Sequence, residues 1–159
     1  MIKIKPLVPN FLAPERKQNS AGYDLKLQED VVLNSRIDNV IKLGFATEIP
    51  EGYCGLLLMR SSAGLKGIKL LNTVGVIDSD YRGEWVAHLD VETSGDVYRE
   101  FAYKRGDRIL QAVFVPVLQD KIEISEINDE TTGDCQINDV LLAKFKGITE
   151  AKHYEVDHD

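Results

Sequence analysis

The sequence predicts an all-β sandwich or barrel built as one compact domain. Turn-forming residues recur at short intervals, and runs rich in Val, Ile, Leu, Tyr and Phe lie between them. This spacing is typical of short strands joined by tight turns. In residues 84–92, apolar and polar residues alternate with the period of two expected for a strand with one wet face. Runs with the helical period are scarce, so we expect little helix.

The predicted strands follow one another along the chain. They are residues 2–5, 40–48, 53–59, 84–92, 98–103, 108–115 and 121–127. The turn at residues 93–96 suggests an antiparallel hairpin between the fourth and fifth of these strands. Residues 138–146 could carry a short C-terminal helix.

Composition excludes several classes of protein. The 159 residues are 43% hydrophobic and 28% charged, which is typical of a soluble globular domain. The net charge of −7 disfavours direct binding to nucleic acid, although a few converging cations can still bind a small anion. Without an apolar run of membrane-spanning length or an apolar signal region, we expect a cytoplasmic protein. Cys54 and Cys135 do not form a disulfide framework.

Two polar segments in the first half of the chain are candidate functional sites. In AGYDL (residues 21–25), Asp24 enters a strand directly after a glycine, where an aspartate either caps the turn or serves a ligand. RSSAGLKG (residues 60–67) combines small residues with the cations Arg60 and Lys66. Such a loop lets backbone N–H groups approach a phosphate, although the spacing of a Walker A loop is missing. It is either a phosphate-binding loop or a Ser/Gly surface turn.

Two further segments follow. VGVIDSDYRG (residues 74–83) places Asp78 at the end of a strand, where its carboxylate could activate water and Tyr81 could stack on a sugar or base. The alternative is an Asp-rich turn. In GDRILQAVF (residues 106–114), Gln111 is the one polar residue on its face of an apolar strand. A buried amide needs a partner, which is either a core hydrogen bond or a ligand.

The four segments together resemble one family. They occur in the order and at the distances of motifs one to four of the homotrimeric dUTP diphosphatases (dUTPases), over about residues 1–127. The resemblance implies a distorted jelly-roll β-barrel or sandwich and a homotrimer with active sites at its subunit interfaces. It also implies hydrolysis of dUTP to dUMP and pyrophosphate, which keeps uracil out of DNA.

The resemblance implies roles for particular residues. Asp78 matches the acid that activates the water attacking the α-phosphate, in a reaction that depends on positioning and charge neutralisation. Asp24 matches an aspartate that contacts Mg²⁺ through metal-bound water, because Mg²⁺ on a triphosphate retains waters. The residues implied to hold the phosphates are Arg60, Ser61, Ser62 and Gln111.

Residues 72–81 match the β-hairpin that holds deoxyuridine in the family. Its backbone groups would recognise the uracil edge, and the ring of Tyr81 would pack on the deoxyribose and leave no room for a 2′-hydroxyl. The substrate-binding residues implied in this segment are Asn72, Gly75, Val76, Ile77 and Tyr81.

The C-terminus departs from the family pattern. Family members usually end in a mobile Gly-rich arm with an arginine that closes over the site, and no arginine follows Arg108 here. KFKGIT (residues 144–149) weakly resembles part of that arm, with a lysine in place of the arginine. A lysine cannot form the bidentate contact of a guanidinium group. We therefore expect a dUTPase-like β domain over residues 1–127 and a divergent arm over residues 128–159. The arm acts as an altered lid, forms a structural helix or contacts a protein partner.

Two other functions stay open at this point. A dCTP deaminase, or a bifunctional enzyme of the same fold, would need a glutamate in the strand after the third motif, where the sequence has His88 and Asp90. A dUTPase-like regulatory module, for example from a phage, would bind nucleotide or protein without catalysis. The intact motifs favour a Mg²⁺-dependent dUTPase in the cytoplasm of a bacterium or a phage-infected host, binding neither nucleic acid nor membrane.

Overall fold

In the computed structural model, residues 1–93 and 95–125 are described. Met1–Asp120 form one compact unit. Its strands are β1 (Lys3–Pro6), β2 (Tyr23–Leu25), β3 (Val31–Asn34), β4 (Asn39–Lys42), β5 (Phe45–Glu48), β6 (Tyr53–Met59), β7 (Ile68–Leu70), β8 (Gly75–Ile77), β9 (Val86–Val91), β10 (Glu100–Tyr103) and β11 (Leu110–Pro116). One short helix, α1 (Ser61–Gly64), lies between β6 and β7. The predicted all-β fold is confirmed.

The strands form two sheets and two ribbons, all with antiparallel pairing. The larger sheet has the order β2-β11-β6-β8, and the second sheet has the order β4-β9-β7. Strand β1 pairs with β5, and β3 pairs with β10. Strand β11 lies inside the larger sheet, between β2 and β6. Three of the four polar segments predicted from sequence therefore contain a strand of the larger sheet, and the fourth, RSSAGLKG, directly follows its strand β6.

The core centres on Trp85. The side chains of Trp85, Ala87, Leu89 and Val91 are buried, as the alternation in residues 84–92 predicts. The indole packs against Phe45 and Phe114, with ring centroids 5.3 and 6.2 Å away. Its Nε1–H donates to Oγ1 of Thr47 at 3.0 Å, which satisfies the one polar group of the buried ring.

The predicted hairpin between residues 84–92 and 98–103 is wrong. Strand β10 pairs instead with β3, so that Phe101 lies opposite the buried Leu33. The guanidinium of Arg99 donates to the carbonyls of Glu92 and Lys66 at 2.8 and 2.7 Å, and so ties the connection to the residue that follows β9. A turn signal shows that the chain changes direction, but the strand it then meets is decided by burial.

The predicted strand at residues 40–48 is two strands. It breaks at Gly44, whose φ of 73° is unfavourable for other residues. A Cβ there would lie 2.8 and 2.9 Å from the side chains of Val8 and Gln28. The break sends β4 into a sheet with β9 and β5 into a ribbon with β1.

The predictions for the C-terminal part have mixed outcomes. Residues 121–125 form no strand, so the strand predicted at 121–127 is wrong over that range. The helix predicted at 138–146 lies outside the described residues. The domain boundary at residue 127 stays a prediction. No helix in the described part of the chain is long and apolar enough to cross a membrane.

Candidate active site

The floor of the candidate site is formed where β2 lies beside β11. Asp24 of β2 is the direct antiparallel partner of Gln111 of β11, and Gln111 is in turn the partner of Leu58. Directly opposed residues project from the same face of a sheet, so Asp24 and Gln111 are side-by-side neighbours. The first and fourth segments thus meet through strand pairing.

Arg60 brings the second segment to the same place. It follows β6, its backbone N–H donates to the Ile109 carbonyl at 2.9 Å, and its Nη1 donates to the Arg108 carbonyl at 2.9 Å. These contacts place its Nε 2.8 Å from Oδ1 of Asp24. Ser61 begins α1 directly after it and is exposed. The basic and hydroxyl residues therefore lie at the end of β6, an inner strand of the larger sheet.

Gln111 shares its face with Val113 and Val115, as the sequence suggested, but this face is only half-buried, whereas a buried amide was expected. The core side of β11 carries the buried Leu110 and Ala112, whereas Gln111, Val113 and Val115 share a half-buried outer face. The Gln111 Nε2–H donates to the Met59 carbonyl at 3.1 Å. The amide therefore has one internal partner and also lines an open cleft.

Three of the four segments line one cleft, which we call the first cleft. Its volume is about 360 Å³. Its lining residues are Glu15, Lys17, Ser20, Ala21, Gly22, Asp24, Arg60, Ser61 and Gln111. Ser62, which the resemblance placed with the phosphates, is exposed on α1 and is not among the residues that line this cleft.

Gly22 is needed for the close packing of the first cleft. A Cβ at this position would lie 2.7 Å from Oε1 of Gln111 and 3.3 Å from the Ala112 carbonyl oxygen. The absence of a side chain lets the loop before Asp24 pass directly over Gln111.

The carboxylates of the first cleft are neutralised by cations. Asp24 contacts Arg60 and also Arg108, whose Nη1 lies 3.4 Å from Oδ2 of Asp24. The hydrogen bond and charge of Lys26 lower the pKa of Glu15 below its ordinary value. Arg108 was not predicted as a site residue. The signal for it was its position three residues before Gln111 in the fourth segment.

The third segment lies at a second cleft of about 760 Å³. Strand β8 pairs with β6, and Asp78 follows it at an exposed position. The Tyr81 N–H donates to the Asp78 carbonyl at 3.2 Å, and Arg82 Nη1 donates to the Ser79 carbonyl at 2.6 Å. Asp78 lines this second cleft with Val76, Asp80 and Arg82, but it does not line the first cleft.

The residues predicted to hold deoxyuridine are dispersed in the single chain. Residues 72–81 do not form the expected hairpin, because β7 pairs with β9 whereas β8 pairs with β6. Asn72 lines a separate cleft with Leu71, Val86 and His88. Val76 is 61% exposed on β8.

Two residues of this segment are fixed by close neighbours. Gly75 is buried, and a Cβ there would lie 3.1 Å from Cβ of Leu57. The hydroxyl of Tyr81 donates to the Glu84 carbonyl at 3.0 Å, and its ring lies against Gly83 while remaining 44% exposed. Ile77 is half-buried and packs against the core cluster.

The described residues include no group of three or more side chains suited to hold a metal ion. Asp24 is the one carboxylate on the floor of the first cleft, and both of its oxygens already contact guanidinium groups. Such a donor set suits contact with a metal through water and does not suit a direct cation cage.

Comparison with known proteins decides the family. The family model described as dUTPase matches residues 11–138. The chain belongs to the dUTPase family. Among curated relatives, the deoxyuridine 5′-triphosphate nucleotidohydrolase of Nautilia profundicola is 40% identical over 135 residues, which cover 83% of this chain and 92% of the relative. The deoxyuridine 5′-triphosphate nucleotidohydrolase of Helicobacter hepaticus is 34% identical over 161 residues, which cover 97% of this chain and 93% of the relative.

Solved dUTPase structures have the same fold. A dUTPase variant from phage 80alpha matches with a TM-score of 0.71 and 28% identity, covering 82% of this chain and 92% of that chain. The Staphylococcus bacteriophage 80alpha dUTPase with dUpNHpp matches with a TM-score of 0.68 and 28% identity. This match covers 83% of this chain and 92% of that chain. The all-β fold expected from the resemblance is therefore that of the family.

Proposed function

We propose that this protein hydrolyses dUTP to dUMP and pyrophosphate, and so keeps uracil out of DNA. One observation carries the proposal: the first, second and fourth segments converge on the first cleft, where Asp24, Arg60, Ser61 and Gln111 meet. Family membership and curated dUTP nucleotidohydrolases at about 40% identity support the same reaction.

The first cleft is proposed to bind the phosphates. Arg60 offers a guanidinium whose geometry is set by Asp24, and Ser61 adds a hydroxyl at the start of α1. Ser62 is proposed as an outer contact, since it is exposed one residue further along. The Gln111 amide, held by the Met59 carbonyl, would orient a phosphate oxygen or the attacking water.

Asp78 is proposed as the base that orients and activates water. Its carboxylate is exposed at the end of β8, and the turn formed by the Tyr81 and Arg82 hydrogen bonds fixes its backbone. In the reaction the water oxygen bonds to the α-phosphorus, its proton passes to Asp78, and the bond to the pyrophosphate oxygen breaks. Asn72, Gly75, Val76, Ile77 and Tyr81 are proposed to hold the deoxyuridine.

The separation of the two clefts supports a homotrimer. Within one chain Asp78 lines the second cleft, whereas the phosphate-binding residues line the first. A complete site then needs the first cleft of one protomer and the β8 segment of another. A row of apolar side chains, Val76, Leu56 and Val113, crosses three strands on the outer face of the larger sheet and is only partly buried. Such a face is suited to packing between protomers.

Mg²⁺ is proposed as the cofactor. It would be carried mainly by the triphosphate and its waters, with Asp24 accepting hydrogen bonds from those waters. The metal would supply charge neutralisation at the phosphates. We further propose a cytoplasmic location and a role for residues 128–159 as an altered lid or a contact for a protein partner.

The test measures pyrophosphate and ammonia together after incubation of the full chain with Mg²⁺ and dUTP, dCTP or UTP. Pyrophosphate from dUTP alone is the expected result. Ammonia from dCTP would instead support a deaminase, and no product from any nucleotide would support a regulatory binding module. His88 and Asp90, both exposed on β9, occupy the place where a deaminase needs a glutamate, which favours the diphosphatase.

A further inference from the structure

We propose that Lys17 is an additional phosphate-binding residue of the first cleft, alongside Arg60, Ser61 and Gln111. Lys17 precedes AGYDL and lies outside the four family motifs, yet it lines the same cleft. The inference rests on the proposed function and names one more residue that recognises the triphosphate.

The loop that carries Lys17 has a defined backbone. Glu15 and Asp24 form an isolated antiparallel bridge, in which their N–H groups donate to each other's carbonyls at 3.0 and 2.7 Å. Inside this bridge the Ser20 N–H donates to the Lys17 carbonyl at 3.0 Å, and Arg16 Nη1 donates to the Ser20 carbonyl at 3.2 Å. Lys17 is therefore held at the rim of the cleft by local structure.

The charge of Lys17 is available to a ligand. Glu15, the nearest acid in sequence, is paired with Lys26, which keeps the pKa of Glu15 low. Asp24 is paired with two guanidinium groups. Within residues 1–93 and 95–125, Lys17 forms no ion pair, and its side chain is exposed.

The first cleft is a cationic region on an acidic protein. Its two carboxylates pair with three cations, which are Lys26, Arg60 and Arg108. Lys17 lines the cleft as a fourth cation. The chain as a whole has a net charge of −7. A local excess of cations in this setting is expected to attract a polyanion, and an unpaired ammonium at the rim can contact a phosphate oxygen directly.

Arg16 provides a matched control in the same loop. Its guanidinium lies over the ring of Tyr23, 5.4 Å from the centroid, and donates to the Ser20 carbonyl. Arg16 does not line the first cleft. Arg16→Gln removes this charge, and so changes the net charge of the loop as much as Lys17→Ala does, while it keeps a side-chain N–H for the Ser20 carbonyl and every residue that lines the cleft.

The experiment compares Lys17→Ala, Lys17→Arg and Arg16→Gln with the unchanged protein. We expect Lys17→Ala to raise KM for dUTP and Ki for inorganic pyrophosphate by about fivefold, with little change in kcat, because one ion contact at a partly solvated site is lost. Lys17→Arg should restore both constants. Added salt should raise KM less steeply in Lys17→Ala than in the unchanged protein.

Several outcomes would overturn the proposal. Equal constants for Lys17→Ala and the unchanged protein would do so, as would an equal loss in Arg16→Gln. If the unchanged protein hydrolyses no nucleotide, the proposed function fails, whereas calorimetric titration with pyrophosphate still tests Lys17 independently. A melting temperature unchanged by the substitution is required before a lower affinity counts as support.

Discussion

Individual residues set the geometry of the first cleft, some through their side chains and one, a glycine, through the lack of a side chain. Gly22 is the clearest case, since its lack of a Cβ lets the Gln111 amide occupy the space above it. Gln111 illustrates the limit of sequence reasoning at this scale. Its polarity on an apolar strand predicted a special role, but the expected burial of the amide was wrong, because both faces of β11 carry apolar residues and only the face of Leu110 and Ala112 is buried.

Gly22→Ala is predicted to lower kcat/KM by at least about tenfold while unfolding at nearly the same temperature. The new methyl group displaces the end of the Gln111 side chain, which costs little stability, but it moves the amide that we propose to orient phosphate or water. A double-mutant cycle with Gln111→Ala checks this, and the two losses should not add. Additive losses, or full activity of Gly22→Ala, would contradict it.

Tyr81→Ala is predicted to raise KM for dUTP by about tenfold and to relax discrimination against UTP. The exposed ring is held by its hydroxyl and by contact with Gly83, so it offers a fixed flat surface to the sugar. Tyr81→Phe keeps the ring and should retain the selectivity. Kinetic constants that stay the same for both nucleotides in Tyr81→Ala would remove this assignment.

At the scale of elements, β6 packs closely against Trp85, the residue that directly precedes β9. Gly55 of β6 lies under Trp85, and a Cβ there would come within 2.8 Å of Cη2 of the indole. Trp85 is fully buried between aromatic neighbours and cannot easily move. The same strand leads directly to Arg60, so its position also sets one wall of the first cleft.

Gly55→Ala is predicted to lower the free energy of unfolding by about 1–3 kcal/mol, since it overpacks a filled core. Gly64→Ala is the control, because no atom lies within 4 Å of a Cβ at that helical position. That substitution should change stability by less than about 1 kcal/mol or increase it slightly. Chemical denaturation of both variants provides the measurement. Equal effects of the two substitutions would show that contact with Trp85 is not the cause.

At the scale of the whole molecule, the residues of the proposed site are divided between two clefts of one chain. Asp78 and the residues proposed to bind phosphate line separate clefts, and we propose that an assembly of several copies completes the site. Such a shared site makes catalysis dependent on association.

Two inactive variants, Asp78→Asn and Arg60→Ala, are predicted to regain activity when they assemble together. Random assembly would leave about one quarter of the sites with both residues intact. Asp24→Asn mixed with Arg60→Ala is the control, because these two residues share one cleft and no site can then be complete. Absence of activity in the first mixture, or a monomer by light scattering, would refute the shared site.

The sequence by itself determined the β class and the identity of most candidate residues. The alternation in residues 84–92 identified the buried face of β9 correctly. Successive side chains of a strand point to opposite faces, and this depends only on the strand itself. The four segments likewise identified the family, since their residue types and order are properties of the chain. The described residues then placed Asp24, Arg60, Ser61 and Gln111 in one cleft.

Only the tertiary structure decided which segments meet. Local turn signals could not show that β10 pairs with β3, that residues 40–48 divide at Gly44, or that β8 joins β6. Strand partners depend on which apolar faces bury each other across long stretches of chain, and that competition is settled in three dimensions. The same reason explains the separation of Asp78 from Asp24 within one chain, and the position of Lys17 at the cleft.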